Sequence, residues 1–105
     1  RTQNLNVTWS GGAPSDLVVI TGTSTNTNPT VGGSFICYST AAAGGFTVPS
    51  WVLSALPASA VIEGTPTGML MVGSTSSEPS RFNASGIDIG VVSYFNYGGK
   101  NVNFQ

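Results

Sequence analysis

Turn signals recur every eight to twelve residues along this chain, and that spacing rules out most folds. Glycine pairs stand at Gly11-Gly12, Gly32-Gly33, Gly44-Gly45 and Gly98-Gly99, and prolines at Pro14, Pro29, Pro49, Pro57, Pro66 and Pro79. A helix interior tolerates neither well: glycine costs about 1 kcal/mol and proline about 3 kcal/mol relative to alanine. The spacing predicts no helix longer than two turns. What fits between the breakers is short strand, and the apolar residues alternate accordingly.

The centre of the pattern is Ser34–Pro57, SFICYSTAAAGGFTVPSWVLSALP. Ser34–Thr40 and Gly45–Val48 read as strands, with Phe35 and Cys37 on one face of the first and Phe46 and Val48 inward in the second. Pro49 and Pro57 bracket one helical turn over Ser50–Leu56, capped by Ser50 and plugging an open end with Trp51, Val52 and Leu56. Before it, Asn4–Trp9 alternates as a half-buried strand. Leu17–Thr23 is nearly continuous, as a central strand covered on both faces would be. The polar run Ser24–Gly33, broken at Asn28-Pro29, is expected to be a mobile loop. After the centre, Ala58–Thr67 is a weak connection. Gly68–Thr75 is a strand with Leu70 and Val72 opposite Met69 and Met71. A short strand Arg81–Ala84 and a long one, Ile87–Asn96, bent at Gly90, follow. Tyr97-Gly98-Gly99 is expected to turn the chain into a closing strand, Lys100–Phe104. About eight short strands with one helical turn, and no 20–50-residue repeat, predict an all-β fold. The expected architecture is an immunoglobulin-like antiparallel β-sandwich forming a single domain over residues 1–105.

Charge excludes several functions. Only 7% of the 105 residues are charged, against a typical ~25%, and the net charge is −1. Three scattered cations cannot form the basic face that nucleic acid requires, and no apolar run reaches the ~20 residues of a membrane-spanning helix. With 40% hydrophobic residues the chain is not a disordered one. A surface tiled with Ser and Thr suits an extracellular protein, secreted or at the cell surface. The start at Arg1 is expected to be the cut end of a piece of something longer.

Catalytic chemistry has little to work with. There is no histidine and one cysteine, which removes Ser-His-Asp and Cys-His catalysis, an internal disulfide and a cysteine-based zinc site. Asp16, Glu63, Glu78 and Asp88 each sit at a turn or strand end, where carboxylates are usually solvated. Asp88, between Ile87 and Ile89, either faces solvent or caps the loop before it. Cys37 reads as a buried, inert small hydrophobe. No catalytic, cofactor or metal residues are assigned, and no cofactor is expected. Trp9 and Trp51 read as core; Tyr94 and Tyr97, beside an exposed-looking turn, are the possible ligand contacts.

The runs NVTWSGGAPSDLVVITGTS, VGGSFICYSTAAAGGFTVPSWVLSALP, GMLMVGS and FNASGIDIGVVSYF resemble a domain found at the C-terminus of large secreted bacterial proteins of unassigned function. The shared features are a W-S/T-G-G-x-P opening, an S-F-x-C strand, an F-T-V-P-x-x-V-L-x-x-L-P segment and an S-G-x-D-x-G-x-x-S-Y end. The resemblance implies an immunoglobulin-like accessory module and brings no catalytic residues. The expected function is a non-catalytic accessory, spacer or adhesion-type module whose partners are other domains of the parent protein. The alternative is a carbohydrate-binding module that meets a polysaccharide or surface partner through its aromatics. A small hydrolase and a self-assembling surface subunit are the other readings.

Overall fold

Residues 1–27 and 31–105 are described by a computed structural model, and its strands follow the alternating runs. The strands are β1 (Leu5–Thr8), β2 (Leu17–Thr25), β3 (Gly32–Thr40), β4 (Gly45–Val48), β5 (Val61–Ile62), β6 (Thr65–Pro66), β7 (Gly68–Thr75), β8 (Ser80–Phe82), β9 (Gly90–Val92) and β10 (Phe95–Val102). Among the described residues the one α-helix, α1, covers Ser50–Ser54. The fold is all-β with antiparallel sheets. The breaker Asn28-Pro29, and the mobility expected there, lie outside the described residues.

One sheet has four strands in the order β10-β7-β2-β3, every neighbour antiparallel. Its inner face carries Val18 and Ile20 from β2, Phe35 from β3 and Leu70 from β7, all buried. Against that face lie the β1–β4 pair, in register from Leu5↔Val48 to Thr8↔Gly45, and the helical turn. They contribute Val7, Val48, Leu53 and Leu56, and Phe104 closes the cluster. Leu5, Phe46 and Val102 pack against its margin. Strand periodicity explains the result: in β2 the residues at 18, 20, 22 and 24 are buried while 17, 19 and 21 are half-buried. β2 is central, but it is fully covered on one face only, because the second layer exists on one side only.

Local signals and tertiary pairing disagree at several places. Gly98-Gly99 makes no turn. β10 runs through both, pairing with β7 from Phe95↔Thr75 to Val102↔Gly68, and neither glycine has a positive φ. A Cβ on Gly99 would stand 2.9 Å from Met71 Cγ, so the glycine lets the methionine lie across the strand. Ile87–Asn96 is not one strand: β9 pairs with β8, and β10 begins only at Phe95. The weak connection contains a hairpin, Val61↔Pro66 and Ile62↔Thr65, turned by Glu63 at φ 50° and Gly64 at φ 80°. Two successive positive φ values are those of a type I′ turn.

The helical turn also corrects an expectation. Trp51 is 74% exposed. Leu53 and Leu56, three apart, share the buried face, and Trp51 lies two residues, about 200°, from Leu53 and so points away. Ser50 does not cap the turn. Its N–H is satisfied by Asn4 Oδ1 at 2.8 Å, reaching from the residue before β1. A second helical element, a single 3-10 turn at Ala41–Ala43, stands outside Ser50–Leu56 and ends at Gly44 with φ 65°. Trp9 does join the margin of the core, its indole N–H donating to Ala41 O at 3.1 Å. Cys37 is only half-buried, because β3 is the edge of its sheet. Its partial burial raises the thiol pKa.

The molecule is long for its length of chain. Its radius of gyration is 17.0 Å, where a compact chain of this size has about 13 Å, and its extents are 50 × 32 × 23 Å. The β8–β9 hairpin, inserted in the chain between β7 and β10, forms a separate two-stranded sheet that packs little against any other element. From residue 77 to residue 101 only Gly90 is buried, under the Phe82 ring, 2.8 Å from where its Cβ would stand.

Candidate binding surface

Two features stand out. The first is a cleft of about 520 Å³ at the end of the four-stranded sheet, lined by Trp9, Asp16, Ser74, Tyr94 and Asn96 among others. Strand alternation sends Ser74 and Asn96, cross-strand partners, to the inner side of the sheet, where Trp9 of the second layer faces them. Tyr94 sits at the break between β9 and β10, its carbonyl held by Thr75 Oγ1 at 2.8 Å. Asp16 is buried rather than solvated. Its Oδ2 accepts from the Ala13 N–H at 3.0 Å, and its own N–H donates to Ala13 O at 2.9 Å. The carboxylate thus closes the turn before β2, which explains its burial.

The second feature is the outer face of the same sheet. Cross-strand register aligns Tyr38, Val19, Gly73 and Tyr97 in one row, and Ile36, Thr21, Met71 and Gly99 in the next. Phe95 lies across Gly73, whose Cβ would fall 2.7 Å from its ring, and its centroid is 5.8 Å from that of Tyr97. Ile36, Tyr38, Met69, Phe95 and Tyr97 are all exposed, and no charged residue lies on these rows. Beside them projects the hairpin with Phe82, Ile87, Ile89, Val91 and Val92, exposed as well.

The two tyrosines singled out from the sequence are both exposed, and both line the cleft. Tyr97 also stands in the outer-face row with Tyr38. Ser24, at the start of the run expected to be a mobile loop, is instead structural: its hydroxyl is 2.9 Å from both Pro57 O and Ser59 Oγ, and the residue is buried. Asp88 is exposed. Among the described residues no three His, Cys, Asp or Glu side chains gather into a metal-binding group. Sequence reasoning missed the apolar hairpin. The signal was the doublet Val91-Val92, which breaks alternation and puts a large apolar side chain on each face of one strand.

Another recess, about 460 Å³, opens between β1 and β10, floored by Leu70 and Val72 and rimmed by Lys100. Arg1 lies along its rim, the guanidinium donating to Leu56 O and the amino terminus to Gln105 O. Comparison of the chain with protein-family models, with curated proteins and with solved structures finds no match.

Proposed function

We propose that this chain is a non-catalytic extracellular accessory, spacer or adhesion-type module of a larger secreted bacterial protein. In this reading it is an immunoglobulin-like sandwich, with the four-stranded sheet as one layer and β1, β4 and α1 as the other. The observation that carries it is the ten large apolar side chains of the outer face and hairpin, 41 to 70% exposed. Monomeric soluble proteins rarely expose contiguous apolar area beyond a few hundred Å², so such a surface is made to be covered. The isolated chain should show no turnover on ester, peptide or glycoside substrates. Turnover abolished by Asp88→Asn would overturn the reading.

The cleft favours carbohydrate binding as the second reading. Trp9 and Tyr94 offer aromatic surface, while Asn96 and Ser74 offer hydrogen-bonding groups of the kind that orient a sugar. A glycan array with wild type and Tyr94→Ala tests it. Binding lost in Tyr94→Ala and kept in Tyr38→Ala, which lies on the outer face and outside the cleft, assigns the cleft. Binding unaffected by Tyr94→Ala removes it.

A further inference from the structure

The accessory-module reading leaves the partner unspecified; resting on it, we propose that the outer face is covered by the β8–β9 hairpin of a second copy of this chain, reciprocally, in a two-fold dimer. Three observations point to a second copy. The lengths are compatible: the hairpin strand and its extension, 80 to 84, span roughly 13 Å before the turn at 85 and 86, and the outer face along β2, 17 to 23, offers about 20 Å at about 3.3 Å per residue. The 50 Å long axis fits a nine-residue strand of about 30 Å followed by such an arm.

The areas are compatible as well. A fully exposed aromatic side chain offers about 150–250 Å², and the aliphatic ones somewhat less. Val91 shares its side of the hairpin with Arg81, opposite to Phe82 and Val92, so at the exposures observed the other four arm residues present about 400 Å² and the five face residues about 500 Å². One arm on one face removes about 900 Å², and two reciprocal contacts about 1,800 Å², the size of a stable specific interface. A single contact sits only at the threshold, so reciprocity is what makes the assembly stable.

Geometry permits the closure. The arm leaves the sheet beside Phe95 and Thr75, at one end of the outer face. A two-fold axis at that end lays each arm back along its partner's face, an isologous arrangement that uses both patches once and leaves neither open. The uncharged face and the net charge of −1 add little repulsion.

The test is sedimentation equilibrium of the chain across the micromolar range, where a dimer with dissociation near micromolar is expected. Two variants follow: an arm variant, Ile89→Lys with Val92→Lys, and a face variant, Ile36→Asp with Tyr38→Asp. All four positions are exposed, so each should keep the wild-type circular dichroism spectrum and melting temperature at low concentration. Each alone should be monomeric. Mixed one to one they should dimerise, since one native contact is restored and the other pairs lysines with aspartates. A monomeric wild type at high concentration overturns the proposal but not the accessory module, which then meets a different partner. A dimer that survives in either variant, or a mixture that stays monomeric, also overturns it.

Discussion

Gly22→Ala is the most informative single change, because it adds one methyl group where the core has no room. Gly22 lies mid-strand in β2, opposite Phe35 in β3 and Leu70 in β7. A Cβ there would stand 2.2 Å from Phe35 Cε1 and 2.6 Å from Cζ, while carbon atoms in contact sit about 3.5–4.0 Å apart. The ring must therefore retreat by more than about 1 Å, yet it is buried in the central cluster. If it shifts and stays inside, overpacking costs about 1–3 kcal/mol. If it is expelled, the loss approaches the roughly 3–5 kcal/mol of a Phe→Ala change. Against this, alanine restricts the unfolded chain by about 0.4–1 kcal/mol. The net expectation is a destabilisation of about 2–3 kcal/mol, or a melting temperature lower by about 10–20 °C. Urea unfolding measures it, with Phe35→Leu as the second arm of a double-mutant cycle. In that background the added methyl should cost less than about 1 kcal/mol, because the offending ring atoms are gone. A neutral Gly22→Ala, or an equal cost in both backgrounds, would refute the packing argument.

Trp51→Ser should change stability by no more than about 0.5 kcal/mol, while Leu53→Ala in the same helical turn costs about 2–5 kcal/mol; equal losses would show that the indole is packed. Glu63→Asn should raise the urea midpoint by about 0.5–1 kcal/mol of stability at unchanged slope, because asparagine accepts the left-handed conformation that Glu63 is forced into. Burial raises the Cys37 thiol pKa, so folding favours the protonated form. That contribution is full below the unfolded thiol's pKa of roughly 8.5 and is lost as pH rises through the higher folded value. Wild type should thus lose more stability than Cys37→Ala between neutral and alkaline pH, and identical losses would exclude it.

What was legible in the sequence was whatever a single strand decides for itself. NLNVTW, GFTV and GMLMV alternate because each has one face on the core, and the structure pairs or buries them as the alternation requires. Trp51 was misplaced because size suggests burial, whereas a five-residue helix can turn only part of its circumference inward and spends it on Leu53. Gly98-Gly99 was misread for a different reason. A glycine pair promises a turn by its local conformational freedom, but β7 offers a whole unpaired edge, and eight residues of ladder outweigh a turn preference. Tyr94 and Tyr97 were placed together on the strength of that turn. The structure keeps both in the lining of the cleft, although the turn is a strand, and Tyr97, within β10, also joins the outer-face row with Tyr38.

Core and projecting surface occupy different parts of this chain, and the separation bears on what the hairpin is for. Every residue of the central cluster lies before residue 73 or after residue 101. The segment between β7 and β10 adds only the small pocket where Phe82 covers Gly90. Thr75 and Phe95 already face each other across the ladder, so a two-residue Asn-Gly turn could join the two strands at that point. Shortening the loop in this way also lowers its closure entropy, though only by about 1–2 kcal/mol, since the dependence on length is logarithmic. On stability alone the hairpin is therefore dispensable, and replacing 76–94 by Asn-Gly should leave the melting temperature of the dilute chain unchanged or raise it. A fall of more than about 10 °C would mean that the hairpin supports the sheet, and its apolar residues would then need no partner. If the melting temperature holds, six large exposed hydrophobic side chains, Tyr94 included, are being carried by a segment that folding does not use, and they are explained by contact with another molecule.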